Sequence, residues 1–498
     1  MIKESTKYPP HNSLGLIFLL FPLSRIIIII VLSYYFGIIK SILSCVFLYY
    51  VYIYYMQIVH KHYPISLCDT TFVYERPQDS FTCCVLIKLK NIIDVNEFKK
   101  SFIERGIKNF PRLNMIRVTK NYEFWWKLLT NKETINMLKF KEYSSNNTII
   151  NNKKDLDDIM QKEINLPLKV DYQLPYEFHF YNNPDNKHGY FICCKFDHAF
   201  TDGLGCLSLI LGLADNYSEK LFPFNKKISY IQYILSIILM PYYILRLVYL
   251  QLSLLFNYCN SPFKSGKDKD EKHNGFRLAT IDNLKFSDAS QIYKKLGVSY
   301  NDLCLSILSK SANRIVKEHN KDNINYKHNQ FVVGCPVGLR GFPKKLKDLE
   351  IKNDSMGMIL RLRVVEDVIS ECKLVSKEFK ASLKDLGAIS AAKFVIFILI
   401  MFFPVKLFKL VAASSSKDTD FMFSNVPGPK EKLFYNGNEC DNLCPYLSSG
   451  FYSTFTACFT YNGIINFIFS YSNSLLIEPE LFKSYFIEEF DYLKQKLS

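Results

Sequence analysis

Asp197-His198-Ala199-Phe200-Thr201-Asp202-Gly203 sets one imidazole between two carboxylates. It follows the apolar run Tyr190-Phe191-Ile192-Cys193-Cys194 and precedes Leu204-Gly205-Cys206-Leu207-Ser208-Leu209-Ile210. The first run reads as a buried strand and the second as the opening of a buried helix. A histidine at a strand-to-helix junction faces a crevice rather than a core. Its side chain is the one best suited to take a proton near neutral pH. A structural, hydrogen-bonded histidine is the competing reading of the heptad taken alone.

Other stretches stand around it in a definite order. Pro64-Ile65-Ser66-Leu67-Cys68-Asp69-Thr70-Thr71-Phe72 precedes the heptad, and Gly297-Val298-Ser299-Tyr300-Asn301-Asp302 follows it. Pro336-Val337-Gly338-Leu339-Arg340 comes next, then Ser424-Asn425-Val426-Pro427-Gly428-Pro429. In order and spacing, from about Pro64 to the C-terminus, these motifs resemble those of the wax ester synthase/acyl-CoA:diacylglycerol acyltransferase family. That family carries an HHxxxDG heptad, a PLSxxD-like start, an ND motif, a PVxLR segment and an SNVPGP segment. The resemblance implies an α/β fold of two CoA-dependent acyltransferase (chloramphenicol acetyltransferase-like) domains, with the active site in a tunnel between them. One departure stands out: Asp197 occupies the place of the family's first histidine.

The resemblance assigns the general-base role to His198. Asp202 becomes a structural residue that fixes the turn, with Arg340 as the expected partner because a guanidinium grips a carboxylate bidentately. Gly203 is expected to give the turn a permissive backbone, and its amide at the helix start could polarise a carbonyl. Asp197 neighbours His198 on extended chain and so points to the opposite side; it is either a hydrogen-bonding support or the mark of a weakened enzyme. Asn301 and Asp302 are candidates for the tunnel wall or simply a helix cap. Ser424 and Asn425, ahead of a Pro-Gly turn, are candidates for substrate contact. No GxSxG elbow or papain-like cysteine context appears, so direct attack on the thioester is expected rather than a covalent acyl-enzyme.

Residues 14–57 are overwhelmingly apolar, enough for one or two spans of about 20 residues each. Residues 1–60 are therefore expected to form an N-terminal transmembrane anchor. An N-terminal acyltransferase domain follows over 61–227, then an apolar crossover and charged linker over 228–275, then a C-terminal acyltransferase domain over 276–498. The blocks 228–258 and 394–411 suggest interfacial contact with a membrane, since Pro241 and Pro404 would kink a span. Asn462-Gly463 between two alternating apolar runs predicts a β-hairpin.

The 498 residues carry 62 basic and 47 acidic side chains, a formal charge of +15. The basic residues are scattered and mostly lysine, with no arginine stripe or aromatic RNA-binding segment, which argues against a nucleic-acid partner. Attraction to an anionic membrane surface and to the phosphates of coenzyme A accounts for the excess. The 14 cysteines form no metal-ligand pattern and read as buried small hydrophobes in a reducing compartment. Together these readings predict a membrane-associated O-acyltransferase. It would move a fatty acyl group from acyl-CoA, a co-substrate, to a lipid alcohol, with no cofactor and no metal. The acceptor would be diacylglycerol, a long-chain fatty alcohol or both. The expected location is the endoplasmic reticulum membrane with the catalytic domains facing the cytosol. The rival readings are an acyltransferase with another acceptor and a non-catalytic lipid-binding scaffold that kept the fold.

Overall fold

The computed structural model describes residues 30–73 (apart from 32 and 36), 81–120, 123–144, 149–218, 275–319, 330–338, 348–383 and 419–497 (apart from 449 and 451), with isolated residues between 221 and 263. Fifteen strands lie among them. In the N-terminal half these are β1 (His62–Pro64), β2 (Thr82–Leu89), β3 (Met115–Lys120), β4 (Glu123–Leu128), β5 (Phe140–Tyr143), β6 (Tyr176–Tyr181) and β7 (Tyr190–Asp197). The C-terminal half adds β8 (Phe276–Lys285), β9 (Gln330–Gly338), β10 (Ser355–Arg363), β11 (Phe421–Val426), β12 (Phe434–Tyr435), β13 (Asn438–Leu447), β14 (Thr454–Tyr461) and β15 (Ile464–Ser472).

They form two six-stranded sheets, β12-β13-β2-β7-β6-β5 and β10-β9-β11-β14-β15-β8, and a small sheet β1-β4-β3. One hydrophobic cluster covers the first sheet and takes in Met422, Phe455, Phe459 and Ile468 of the second; another packs the second sheet against its helices. The first sheet is not built from the N-terminal half alone. β13 crosses over and pairs antiparallel with β2, Leu443 opposite Ile87 and Leu447 opposite Cys83. The sequence reading gave all of 276–498 to the C-terminal domain. The alternating apolar pattern of 438–447 specifies a strand but not the sheet that receives it.

Strands β2 and β7, central in the first sheet, are covered on both faces and so read as nearly continuous apolar runs. The exception is Lys195, only 1% exposed, whose ammonium meets Glu163 of helix Lys153–Asn165 at 2.9 Å. That helix lays Leu156, Met160 and Ile164 on the sheet. It also reaches the other sheet, where Asp157 accepts from Thr280 at 2.8 Å and Asn165 from the Phe276 amide at 2.7 Å. Helices Phe286–Leu296, Tyr300–His319, Val368–Leu383 and Pro479–Leu497 cover the second sheet. β14 and β15 form the expected hairpin, with Asn462 and Gly463 both at positive φ (46° and 78°) in the turn.

Among the described residues, no helix is long and apolar enough to cross a membrane. The expected anchor is represented by helix Ile38–His60 of 23 residues; positions 14–29 lie outside the described residues. Lys40, Gln57 and the tyrosines 49, 50, 52, 54 and 55 interrupt its apolar run. Its last turns are core rather than tether: Met56 is 1% exposed, and Tyr52 packs edge-on against Trp125 at 5.8 Å. The rest of the helix exposes apolar side chains, among them Phe47, Tyr54 and Ile58. The block 394–411 lies outside the described residues, as does most of 228–258.

Candidate active site between the two sheets

β7 ends at Asp197, and the chain turns through 198–200 before Asp202 opens helix Gly203–Leu213. The Asp197 carboxylate bends back to accept the Ala199 amide at 2.9 Å, closing the turn on itself. Asp197 thus acts on the backbone beside the imidazole. The His198 amide donates to the Phe81 carbonyl at 2.9 Å, which holds the turn in the plane of the sheet.

The imidazole lies stacked on Phe72 with centroids 3.8 Å apart and meets Phe81 edge-on at 4.8 Å. Phe81 in turn contacts Phe455 of β14 at 5.6 Å, so the ring sits where the two sheets approach. Burial pushes the His198 imidazole down to about 4. Hydrogen bonding to its own backbone and to Asn353, and the nearby Asp69 carboxylate, oppose this. The ring is therefore neutral at physiological pH. Its Nδ1 is buried without a partner in another residue.

Asp202 is 4% exposed and does two jobs. One oxygen caps the helix by accepting from Gly205 at 2.8 Å; the other accepts from the Asp354 amide at 2.8 Å, across to the loop before β10. The expected partner Arg340 lies outside the described residues. Gly203 is required for close approach rather than for a left-handed backbone: a Cβ there would lie 2.7 Å from Val426 Cγ2. The heptad therefore abuts the Ser424–Pro429 segment directly. A Cβ on Gly338 of β9 would likewise lie 2.8 Å from Leu204.

Three of the four candidate substrate-contact residues form a connected pair of motifs. Asn425 Nδ2 donates to Asn301 Oδ1, joining the end of β11 to the start of helix Tyr300–His319. Asp302 caps that helix reciprocally with Ser299 (2.8 and 3.2 Å) and is 1% exposed, so its hydrogen bonds serve the cap. Ser424 is half-buried on β11 opposite Ala457 of β14.

Sequence reasoning missed a layer beneath the His198 turn. Asp69, 2% exposed, accepts from Arg112 Nη2, Trp126 Nε1 and Asn353 Nδ2 at 3.0, 3.0 and 2.9 Å. The signal for Asp69 was legible as a capping box, since Ser66 and Asp69 cap helix Leu67–Thr71 reciprocally. Trp126 is 1% exposed and stacks under the Arg112 guanidinium at 3.9 Å. Nothing in the local sequence marks Arg112 or Asn353. Twelve cysteines of the described residues are buried and outside any disulfide, and among the described residues no group of His, Cys, Asp and Glu could hold a metal ion.

The family model "WS/DGAT C-terminal domain" matches residues 355–494. A search of curated proteins finds no match. Among solved structures, the wax ester synthase/diacylglycerol acyltransferase from Marinobacter aquaeolei VT8 is 12% identical with a TM-score of 0.55, covering 87% of this chain and 99% of that one. The TRI3 trichothecene 15-O-acetyltransferase from Fusarium sporotrichioides is 10% identical with a TM-score of 0.60, over 88% and 95% of the two chains. The starter condensation domain of rhizomide synthetase, solved with C8-CoA, is 11% identical with a TM-score of 0.57, over 87% and 95%. The two-domain α/β fold is thus that of the CoA-dependent acyltransferases and condensation domains. The family match on this fold supports an acyl-CoA-dependent acyltransferase. Residues 355–494 match the WS/DGAT C-terminal domain model, and the chain resembles the wax ester synthase/acyl-CoA:diacylglycerol acyltransferase family in fold and in the order of its motifs.

Proposed function

We propose that this protein transfers a fatty acyl group from acyl-CoA to a lipid alcohol, diacylglycerol or a long-chain fatty alcohol, making triacylglycerol or wax ester. The observation that carries this reading is an imidazole stacked between Phe72 and Phe81 at the junction of the two sheets, on a chain whose residues 355–494 match the WS/DGAT C-terminal domain model. His198 takes the proton of the acceptor hydroxyl as the oxygen attacks the thioester carbonyl. The tetrahedral intermediate then collapses, the C–S bond breaks, and the imidazolium returns the proton to the leaving thiolate. The aromatic walls of Phe72 and Phe81 keep water from competing for the acyl group.

The reaction takes place at a membrane surface in this reading, with the endoplasmic reticulum and its cytosolic face as the proposed location. The exposed apolar side chains of helix Ile38–His60 and the formal charge of +15 support contact with an anionic bilayer. The test is transfer of labelled acyl groups by the purified full chain in detergent, against a panel of diacylglycerols, fatty alcohols and sterols. His198→Ala should abolish transfer without loss of expression, while Asp197→Asn retains most of it. Full activity of the alanine variant would remove His198 from the mechanism. Exclusive use of sterols would replace the acceptor.

A further inference from the structure

Four carbonyl contacts beneath the His198 turn come from two side chains. Asn353 Nδ2 donates to the carbonyls of His198 and Ala199 at 2.8 and 3.0 Å. Arg112 donates through Nη2 to Ala199 and through Nε to Phe200, both at 3.2 Å. Three consecutive carbonyls of a tight turn thus point at two donors. Both donors are bound to Asp69, through its two oxygens. Asn353 is 4% exposed, and its two N–H bonds are shared among three acceptors. Asp69 and Arg112 belong to the N-terminal half, whereas Asn353 comes from the loop before β10, beside the Asp354 amide that Asp202 holds.

We propose that Asn353, fixed by Asp69, is a positioning residue for His198, and that it aligns the base only when the two halves of the molecule are docked. This rests on the reading of His198 as general base. The physical reason is local. Asn353 holds the carbonyls of His198 and Ala199, the backbone that carries the imidazole, so fixing that backbone fixes where the ring lies against Phe72 and Phe81. An unheld turn lets the ring swing between Phe72 and Phe81. Misplacement of a reacting group by about 1 Å costs on the order of 100-fold. Arg112 and Asp69 set the back of the turn; Asn353 is the member that reports on the C-terminal half.

The experiment compares Asn353→Ala and Asn353→Ser in the full chain. Serine keeps one donor and serves as the conservative variant should alanine fail to fold. Asn353→Ala should lower kcat per folded molecule by about 10- to 100-fold while KM for acyl-CoA stays within about twofold, and serine should recover part of the loss. The second readout needs no turnover: the rate at which diethylpyrocarbonate modifies His198, followed by mass spectrometry of its peptide, should rise in the alanine variant. An unchanged kcat, equal losses in the two variants, or an unchanged modification rate each overturns the proposal. If the parent chain transfers no acyl group at all, the proposed function fails, and the modification rate alone decides whether Asn353 holds the imidazole.

Discussion

Replacing Asp202 by alanine removes at least two hydrogen bonds of different kinds among the described residues, and the energies of these two can be separated. The cap on Gly205 contributes about 1 kcal/mol, the usual cost of losing a helix N-cap. The bond to the Asp354 amide contributes about 1–3 kcal/mol, because that amide is left without an acceptor where Asp202 is nearly buried. The sum is about 3 kcal/mol, or roughly 6 °C in thermal midpoint if the loss is felt by a cooperative unit of domain size. Asp202→Asn keeps one oxygen for Gly205 but sets a second donor against the Asp354 N–H. It should therefore forfeit only the second contribution, roughly two thirds of the effect. Thermal unfolding at neutral pH, followed by fluorescence of Trp125 and Trp126, reads both variants. Since the Asp202 carboxylate accepts from the backbone amides of Gly205 and Asp354, kcat per folded molecule should fall much less than in His198→Ala. Unchanged melting with complete loss of turnover would refute this reasoning and place Asp202 on the proton path.

Because burial holds the His198 imidazole near 4, below the free value of 6.5, the base stays deprotonated through mildly acidic pH. The profile of kcat/KM should then be flat between pH 7 and about 5.5, and an inflection at 6.5 would show that the ring is solvated. Glu371, fully buried on helix Val368–Leu383, has its carboxyl pushed from 4.5 up to about 7 by desolvation. The folded chain there binds a proton that the unfolded chain has released, so its stability falls as pH rises from about 4.5 to about 7. Glu371→Gln should raise the thermal midpoint at pH 8, by up to about 3 kcal/mol of stability, and leave it unchanged at pH 5; no gain at pH 8 would mean the carboxylate is solvated. Lys195→Met leaves Glu163 without its nearest cation in a buried setting and should cost about 3–5 kcal/mol, read by denaturant unfolding. A chain beginning at Gly37 should fold as the parent does, whereas one beginning at His62 exposes Trp125 and should lose thermal stability; equal melting of the two would show that helix Ile38–His60 does not belong to the core.

Local chemistry wrote much of this molecule into its sequence. The apolar run before His198 and the small-residue run after Asp202 specify a buried strand and a buried helix, and the structure places the histidine at their junction. Asn462-Gly463 demands positive φ at two successive residues, and only a tight hairpin provides it. The capping residues Ser66, Asp69, Asp202 and Asp302 each act within three positions of themselves, so spacing alone reveals them. What tertiary structure decided is every contact between residues far apart in the chain. Asn353 reaches the His198 turn across 155 positions, and β13 joins β2 across a still wider gulf in sequence. Periodicity records which face of an element is apolar, not which partner covers it, so the sheet that receives β13 and the donors beneath the turn leave no local trace. Helix Ile38–His60 makes the same point from the other side. Its apolar composition suggested a span, but the surface it covers depends on Trp125, brought beside it only by folding.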